Sequence, residues 1–164
     1  MIQAYLSLGS NIEPQRMLVS ALDELGQTFG KLQVSPVYRS IPLGFSGPDF
    51  NNLAVGLDAD FSPSTLQDWL HDLENRLGRD RHAPRFSNHT LDADLLLYLD
   101  PTATETSPQW AGHDLRHDYV LKPLSDIAPE MRDPQSGLSL AELWRQQANP
   151  QRLTRLDPWP DPVS

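Results

Sequence analysis

Cysteine is absent from this 164-residue chain, which excludes a disulfide framework and any chemistry that needs a thiol. No apolar run approaches the roughly 20 residues of a membrane-spanning helix, and the first residues lack the basic and apolar regions of a signal peptide. Positive charge is also scarce, since the formal net charge is -9, whereas non-specific nucleic-acid binding needs a basic surface. We therefore expect a cytoplasmic protein that has neither a nucleic-acid nor a membrane partner.

Proline is abundant instead, with 15 residues, and the hydrophobic fraction is only 38%. The apolar residues nevertheless cluster into short periodic runs, which indicates a folded domain with long connections rather than a disordered chain. A chain of this length fits one domain with a hydrophobic core. We expect a single domain over residues 1–164 whose proline-rich tail, from about residue 150, is irregular.

The spacing of the apolar residues predicts the order strand, helix, strand, strand, helix, strand. This order is typical of the ferredoxin-like α/β (α+β) fold, in which two helices pack on one face of a four-stranded antiparallel sheet. A further apolar pattern predicts a C-terminal helical extension over about residues 139–147. The six core segments are the strands 2–8, 32–38, 52–57 and 90–99 and the helices 14–25 and 62–77.

Two acidic residues, Asp92 and Asp94, interrupt the most apolar strand. Because side chains alternate along a strand, both carboxylates share one face, and Leu91, Ala93 and Leu95 point the other way. Buried unpaired carboxylates are costly and aspartate is a poor strand former, so a compensating group is expected. A Mg²⁺ ion is the natural candidate, although a solvent-exposed face or arginine partners would explain the same pattern.

An arginine-rich segment precedes that strand and contains Arg76, Arg79, Arg81 and Arg85. On an acidic chain, such a basic cluster suggests one anionic ligand, and arginine side chains match phosphate oxygens in a bidentate way. Together with the two acids, the cluster would form a site for a nucleoside triphosphate that has no Walker-type glycine loop. A solvated, charge-rich loop would have the same composition.

Three histidines, His89, His113 and His117, are further candidates near these residues. They would either hold a transition metal or only donate hydrogen bonds to phosphate, and we favour the second role. The first role, with a metal held by His89, Asp92 and Asp94, would make the chain a hydrolase.

A loop that begins at Ser40, together with Phe50 and Asn52, could bind a flat heterocycle. An aromatic ring stacks on such a ligand, and a side-chain amide offers both a donor and an acceptor to its edge. Packing of Phe50 in the core and capping of a strand end by Asn52 would fit the same residues.

Short motifs also follow one another in a fixed order from Tyr5 to about Trp144. The most specific one is Thr-Leu-Asp-x-Asp at residues 90–94, after the arginine-rich segment. The others are Gly9-Ser10-Asn11, Tyr38-Arg39-Ser40, Pro42-Leu43-Gly44, Asp49-Phe50-Asn51-Asn52, Glu74, Leu77-Gly78-Arg79-Asp80-Arg81 and the segment 123–130. Together they resemble the motifs of the 6-hydroxymethyl-7,8-dihydropterin pyrophosphokinase family of folate biosynthesis.

The resemblance implies that a monomer transfers pyrophosphate from ATP to the hydroxymethyl group of the pterin and releases AMP. It implies that Asp92 and Asp94 hold two Mg²⁺ ions and that Arg79, Arg81 and Arg85 act with them in catalysis. The residues that it places on ATP are Glu74, Arg79, Arg81, Arg85, His89, Thr90, His113 and His117. Those that it places on the pterin are Ser40, Pro42, Leu43, Phe50, Asn52 and Tyr119.

Two positions depart from the family's pattern and leave other functions open. The family usually has a second arginine at the position of His89 and another before its stacking aromatic, where this chain has His117. A neutral imidazole stabilises less transition-state charge than a guanidinium group. The alternatives are a paralogue that acts on a related pterin or phosphate donor and a module that binds a pterin or nucleotide without this transfer.

Overall fold

The computed structural model describes residues 1–42, 47–77, 91–102, 109–111, 115–147 and 152–161. Within these ranges the chain forms seven β-strands in one sheet and four α-helices. The strands are β1 (Ile2–Ser10), β2 (Gln33–Val34), β3 (Val37–Ser40), β4 (Phe50–Ala59), β5 (Asp92–Leu99), β6 (Gln109–Trp110) and β7 (Leu153–Leu156). The helices are α1 (Pro14–Phe29), α2 (Pro63–Leu77), α3 (Asp118–Ile127) and α4 (Leu140–Arg145).

The strand β1 lies at the centre of the sheet, whose order is β6-β5-β1-β4-β3-β7, with β2 also paired to β4. It pairs with β4 from Ile2↔Ala59 to Ser10↔Asn51 and with β5 along its other edge. These and the other strand pairs among the described residues are antiparallel. The antiparallel sheet expected from the sequence is therefore confirmed, but the expected number of four strands is wrong, since the described residues form seven.

One additional strand arises because the segment 32–38, predicted as a single strand, is divided at Ser35 and Pro36. Proline has no N–H for the ladder, so a pairing position is lost there. Ser35 compensates, because its N–H donates to the Ala54 carbonyl at 2.9 Å and its hydroxyl accepts a hydrogen bond from the Ala54 N–H at 2.8 Å. Beyond this break, β3 resumes its pairing beside β4.

The two core helices expected on one face of the sheet, α1 and α2, do lie together on one face, and further helices cover the other face. On the first face, α1 buries Leu18 and Leu25, and α2 buries Leu66 and Leu70. The central strands are apolar on both faces, and an apolar face must be covered by another layer. The second face therefore packs against α3 and α4, in a cluster that includes Tyr5, Ala54, Leu96, Leu97, Leu121, Leu124 and Leu140.

A bulge in β5 changes which residues face which helices. The register with β1 shifts between Tyr5 and Leu6, so that Leu95 pairs with Leu6 and Leu97 with Tyr5. Leu96 is the extra residue, and it lies with Leu97 in the cluster beneath α3. The simple alternation predicted from the sequence therefore applies only to the part of β5 that precedes Leu96.

The C-terminal segment contains a strand where the sequence predicts an irregular tail. The strand β7 pairs with β3 from Val37↔Leu156 to Ser40↔Leu153. Regular structure is disfavoured only from Pro158 onward, so the residues just before it can join the edge of β3. The expectation for the tail was therefore wrong for β7, although no helix or strand follows within residues 157–161.

Local sequence signals account for the helix boundaries. The helix α2 begins at Pro63, and the hydroxyl of Ser62 accepts a hydrogen bond from the Thr65 N–H at 3.2 Å, as expected of an N-cap. The helix α1 ends at Phe29 and is followed by Gly30, whose φ of 82° suits glycine. No helix in the described part of the chain is both long enough and apolar enough to cross a membrane.

The packing of α2 on the sheet leads to a stability prediction at Leu70, which is 1% exposed. We expect Leu70→Ala to lower the free energy of unfolding by about 2–5 kcal/mol, because it removes buried methyl groups and leaves a cavity. Denaturant unfolding followed by circular dichroism measures this difference. The matched control is Gln67→Ala at an exposed position of the same helix, which should change the free energy by less than about 0.5 kcal/mol. Equal effects of the two substitutions would contradict the burial of this helix face.

Candidate active site

The polar residues singled out in the sequence meet at one end of the sheet. In the strand register, Gly9 of β1 pairs with Asn52 of β4 on one side and with Asp92 of β5 on the other. Ser7, two residues earlier in β1, pairs in the same way with Ala54 and Asp94. Two strand spacings amount to roughly 10 Å, so the amide and the acids lie within the span of one small ligand.

Asp92 and Asp94 share the sheet face that carries α3. Their neighbours Leu91, Ala93 and Leu95 belong to the core beneath α1 and α2, so the alternation predicted for this part of β5 is confirmed. Both carboxylates are half-buried. A cation that binds here would therefore contact carboxylates that are only partly exposed to solvent.

Glu74 approaches the two acids from α2, on the other side of the sheet. Burial, together with the charges of Asp92 and Asp94, raises the pKa of Glu74 from 4.5 to about 7, and a hydrogen bond from the Ala93 backbone N–H acts in the opposite direction. The imidazole of His71 lies 3.9 Å from the same carboxylate but is mostly exposed. Three carboxyl groups therefore influence one another at the start of β5, and the site favours positive charge.

A metal site made only of protein side chains is not present in the described ranges, since no three histidine, cysteine, aspartate or glutamate residues there are grouped to hold an ion. The alternative transition-metal site, held by His89, Asp92 and Asp94, includes a residue, His89, that lies outside the described ranges. A cation on Asp92 and Asp94 would take its other oxygen ligands from water or phosphate, as Mg²⁺ usually does.

Asn52 is buried on the same face and is held by the neighbouring strand. Its side-chain N–H donates to the Ser40 hydroxyl at 2.8 Å and to the Tyr38 carbonyl at 3.5 Å. It is the third residue of β4 rather than a strand cap, so that alternative is wrong. Gly9 is needed beside it, because a Cβ at Gly9 would lie 3.0 Å from the Asn52 amide oxygen.

The exit of β3 and the start of β4 form one wall of this region. Phe50 pairs with Ser40 and therefore lies on the same face as Asn52. The ring of Phe50 is only half-buried, and neither core cluster of the described residues includes it, so the alternative of a core role is wrong. Pro42 is also half-buried and follows directly along the chain.

Tyr119 and His117 form a second wall, at the beginning of α3. Their rings are stacked with centroids 5.1 Å apart and planes inclined by 19°. Burial is the largest cause that raises the pKa of Tyr119. The charges of Asp118, Asp92 and Asp94 raise this pKa as well, whereas the charge of Arg152 lowers it. The phenol therefore lies within electrostatic reach of both acids of β5, although the sequence offered no measure of that proximity.

The structure thus brings together Ser40, Pro42, Phe50, Asn52, Glu74, Asp92, Asp94, His117 and Tyr119 at one end of the sheet. The sequence did not single out two residues that help to build it, Asp118 and Arg152. Nothing in the periodicity reveals them, since both act through contacts between distant segments. The remaining predicted site residues lie outside the described ranges: Leu43, Arg79, Arg81, Arg85, His89, Thr90 and His113.

Comparison with known proteins adds independent information. Residues 5–129 match the family described as 7,8-dihydro-6-hydroxymethylpterin-pyrophosphokinase (HPPK). A protein of Haemophilus influenzae named 2-amino-4-hydroxy-6-hydroxymethyldihydropteridine pyrophosphokinase is 34% identical over 165 residues, which cover 96% of this chain and 100% of the relative. A protein of Pseudomonas aeruginosa with the same name is 39% identical over 153 residues, which cover 87% of this chain and 91% of the relative.

A solved structure of Plasmodium falciparum HPPK-DHPS has a similar fold, with a TM-score of 0.68 at 13% sequence identity. The alignment covers 94% of this chain and 47% of that chain, so this chain spans about half of the solved one. At this identity, the likeness concerns the fold alone. It agrees with a mixed α/β architecture in which helices cover an antiparallel sheet.

The raised pKa of Glu74 predicts a pH-dependent stability for the metal-free protein. In the folded state Glu74 keeps its proton up to about pH 7, whereas in the unfolded chain it loses the proton near its ordinary pKa of 4.5. Folding is therefore favoured by this group below 4.5, and the advantage is lost as the pH rises to about 7. Relative to Glu74→Gln, the wild type should lose unfolding free energy across this window.

Urea unfolding in the presence of a chelator, from about pH 4 to about pH 8, measures this difference. Glu130→Gln, at an exposed position, is the control for the loss of one carboxyl group. A difference between wild type and Glu74→Gln that does not change with pH would show that Glu74 ionises alike in both states.

Proposed function

Because the chain belongs to the 7,8-dihydro-6-hydroxymethylpterin-pyrophosphokinase family, we propose that it transfers a pyrophosphoryl group from ATP to a hydroxymethyl-dihydropterin and releases AMP. The observation that supports this most is the row Asn52–Gly9–Asp92 across three strands. This row places the Asn52 amide, which suits the edge of a heterocycle, near the Asp92 carboxylate, which suits a metal–phosphate complex. Tyr119, within reach of the acids, closes the same region.

For the pterin, the proposal assigns recognition to the β3–β4 wall and to α3. The side-chain amide of Asn52, whose N–H groups donate to Ser40 and Tyr38, meets the edge of the ring with its carbonyl oxygen as an acceptor. Phe50 and Tyr119 stack on its two faces, since both rings are half-buried and stand at the open end of the sheet. Pro42 and Leu43 are assigned to the pocket because of the family resemblance.

For the phosphates, the proposal assigns Asp92 and Asp94 to two Mg²⁺ ions. The donor set fits Mg²⁺, because both residues are carboxylates on one face of the sheet. Their charges also help to raise the pKa of Glu74 to about 7, which indicates that a bound cation would be stabilised at this site. Bound Mg²⁺ would supply positive charge that neutralises charge developing in the transfer. Arg79, Arg81, Arg85, His89, Thr90 and His113 are proposed ATP contacts on the resemblance alone, and His117 and Glu74 complete that set.

In the proposed reaction the hydroxymethyl oxygen attacks the β-phosphorus of ATP in line with the leaving group. The new O–P bond forms as the bond from the β-phosphorus to the α–β bridging oxygen breaks, AMP leaves, and the hydroxyl proton is released. The protein contributes mainly by holding the two substrates in this geometry and by presenting positive charge to the phosphates. A cytoplasmic location and a monomeric state stay predictions, and gel filtration tests the second.

One alternative is a module that binds the pterin without transferring the pyrophosphoryl group. The observation that favours it is the pair of histidines, His89 and His117, at positions where the family usually has arginine. In the structure, His117 stacks on Tyr119 and so occupies the side of the pocket where that arginine is expected.

The decisive assay mixes the purified chain with Mg²⁺, ATP and 6-hydroxymethyl-7,8-dihydropterin and follows both products by chromatography. We expect AMP and the pterin diphosphate to appear in equal amounts, because each transfer releases one of each. Omission of the pterin should abolish AMP formation. Pterin binding in a titration without product would instead support the non-transferring module.

A second prediction concerns Asp94. We expect Asp94→Ala to lower kcat by a factor of at least about 1,000, since a lost metal ligand removes several kcal/mol of transition-state stabilisation. The dissociation constant for the pterin should change by less than about threefold, because Asn52 and the stacking rings are untouched. Asp72→Ala, at an exposed position of α2, is the matched control. Persistent transfer in Asp94→Ala would remove Asp94 from the metal site.

A further inference from the structure

Arg152 connects the two walls of the candidate pocket. It directly precedes β7 and lies outside residues 5–129, the part of the chain that matches the family. One guanidinium nitrogen, Nη2, donates to the Ile41 carbonyl at 3.4 Å, and the other, Nη1, lies 4.0 Å from Oδ2 of Asp118. A single planar group thus contacts the exit of β3 and the start of α3 at the same time.

Each contact bears on a neighbouring residue of the pocket. Ile41 stands between Ser40, which orients Asn52, and Pro42. Asp118 accepts a hydrogen bond from the Tyr119 N–H at 2.8 Å through Oδ1, the oxygen that does not face Arg152. The Arg152 side chain therefore links the residue that follows β3 to the residue that precedes Tyr119.

The charge of Arg152 also has a specific counterpart. The side chain of Asp118 is only 9% exposed, and a buried carboxylate is costly unless it is paired. Arg152 is 30% exposed and supplies that partner. The pKa of Tyr119 responds to Arg152 in the direction opposite to Asp118, Asp92 and Asp94, so the guanidinium lies within electrostatic reach of the pocket.

We propose that Arg152 is a positioning residue for the pterin: its guanidinium group fixes the distance between the β3 exit and Tyr119, and thereby sets the affinity for the flat ring. The proposal rests on the proposed function of the site. Arg152 acts through Ile41 and Asp118 rather than on the reacting atoms, so its loss should weaken pterin binding and leave the ATP side unchanged.

A role limited to attaching β7 makes a different prediction. The strand β7 is already held by backbone pairing with β3 from Val37↔Leu156 to Ser40↔Leu153. If Arg152 only strengthened this attachment, its removal would lower the melting temperature and leave both Michaelis constants unchanged.

The test compares Arg152→Ala, Arg152→Lys and the control Arg155→Ala. Arg155 lies three residues further along, in β7, is exposed, and pairs with Tyr38 of β3, so its removal takes away one positive charge from the same segment. For Arg152→Ala we expect the KM for the pterin to rise about tenfold, with the KM for ATP changed by less than about twofold. Arg152→Lys keeps the charge but has one nitrogen for two partners, and its pterin KM should be intermediate.

A double-mutant cycle with Asp118→Asn tests the route of the effect. If Arg152 acts through Asp118, its replacement by alanine should raise the pterin KM by less than about threefold when Asp118 is already neutral. Equal effects in both backgrounds would overturn this route. An unchanged pterin KM in Arg152→Ala, or a rise confined to the KM for ATP, would overturn the proposal itself.

Failure of the proposed function can be told apart from failure of this inference. If the wild type shows no turnover, the dissociation constant of the pterin is measured instead, with Mg²⁺ and an ATP analogue whose α–β bridge is a methylene group. Weaker binding by Arg152→Ala than by wild type and Arg155→Ala would support the role of Arg152 without any transfer, and equal binding would overturn it. If Arg152→Ala does not fold, Arg152→Lys decides by the same two measurements.

Discussion

The register of β1 between β4 and β5 is the constraint on which the candidate site depends. Side chains alternate across a sheet, so a shift by one residue would separate Gly9 from Asn52 and Asp92 and turn the apolar residues to the wrong face. Leu6 and Leu8 oppose such a shift, because both are fully buried against α1 and α2. The pairing that fills the core thus also brings the Asn52 amide and a pair of carboxylates to within two strands of each other.

The second face of the sheet changes character along its strands. Beneath α3 it carries Tyr5 and Ala54 in an apolar cluster, and towards the end of the sheet it carries Asn52, Gly9 and Asp92. Because these residues stand on the same strands as the core residues, the same strand pairing sets their spacing. A site built on strands in this way is held in position before any ligand binds.

Local patterns in the sequence predicted the features that depend on neighbouring residues, and missed those that depend on distant ones. The alternation around Asp92 and the stripe of α2 are local, and both predictions were correct. The break at Pro36 could have been read from the missing N–H of proline. The hydrogen bond from Arg152 to Ile41, however, joins residues 111 positions apart, and no periodicity reports such a contact. The roles assigned to the site residues stay predictions, because they depend on ligands rather than on the fold.

The helix α3 shows why residues that never touch a ligand can decide how well it binds. Its core residues bury the helix on the sheet, and its two ends are attached to the β3–β7 pair by separate polar contacts. Near its end, the Tyr38 hydroxyl donates to Asp126, which also pairs with Lys122 at 3.0 Å. At its start, Asp118 faces Arg152. Tyr119 lies in the first turn, where its ring packs against the core cluster and its N–H donates to Asp118, the partner of Arg152. Under the proposed role of Arg152, the position of the stacking ring would depend on the residue that precedes β7 as well as on α3.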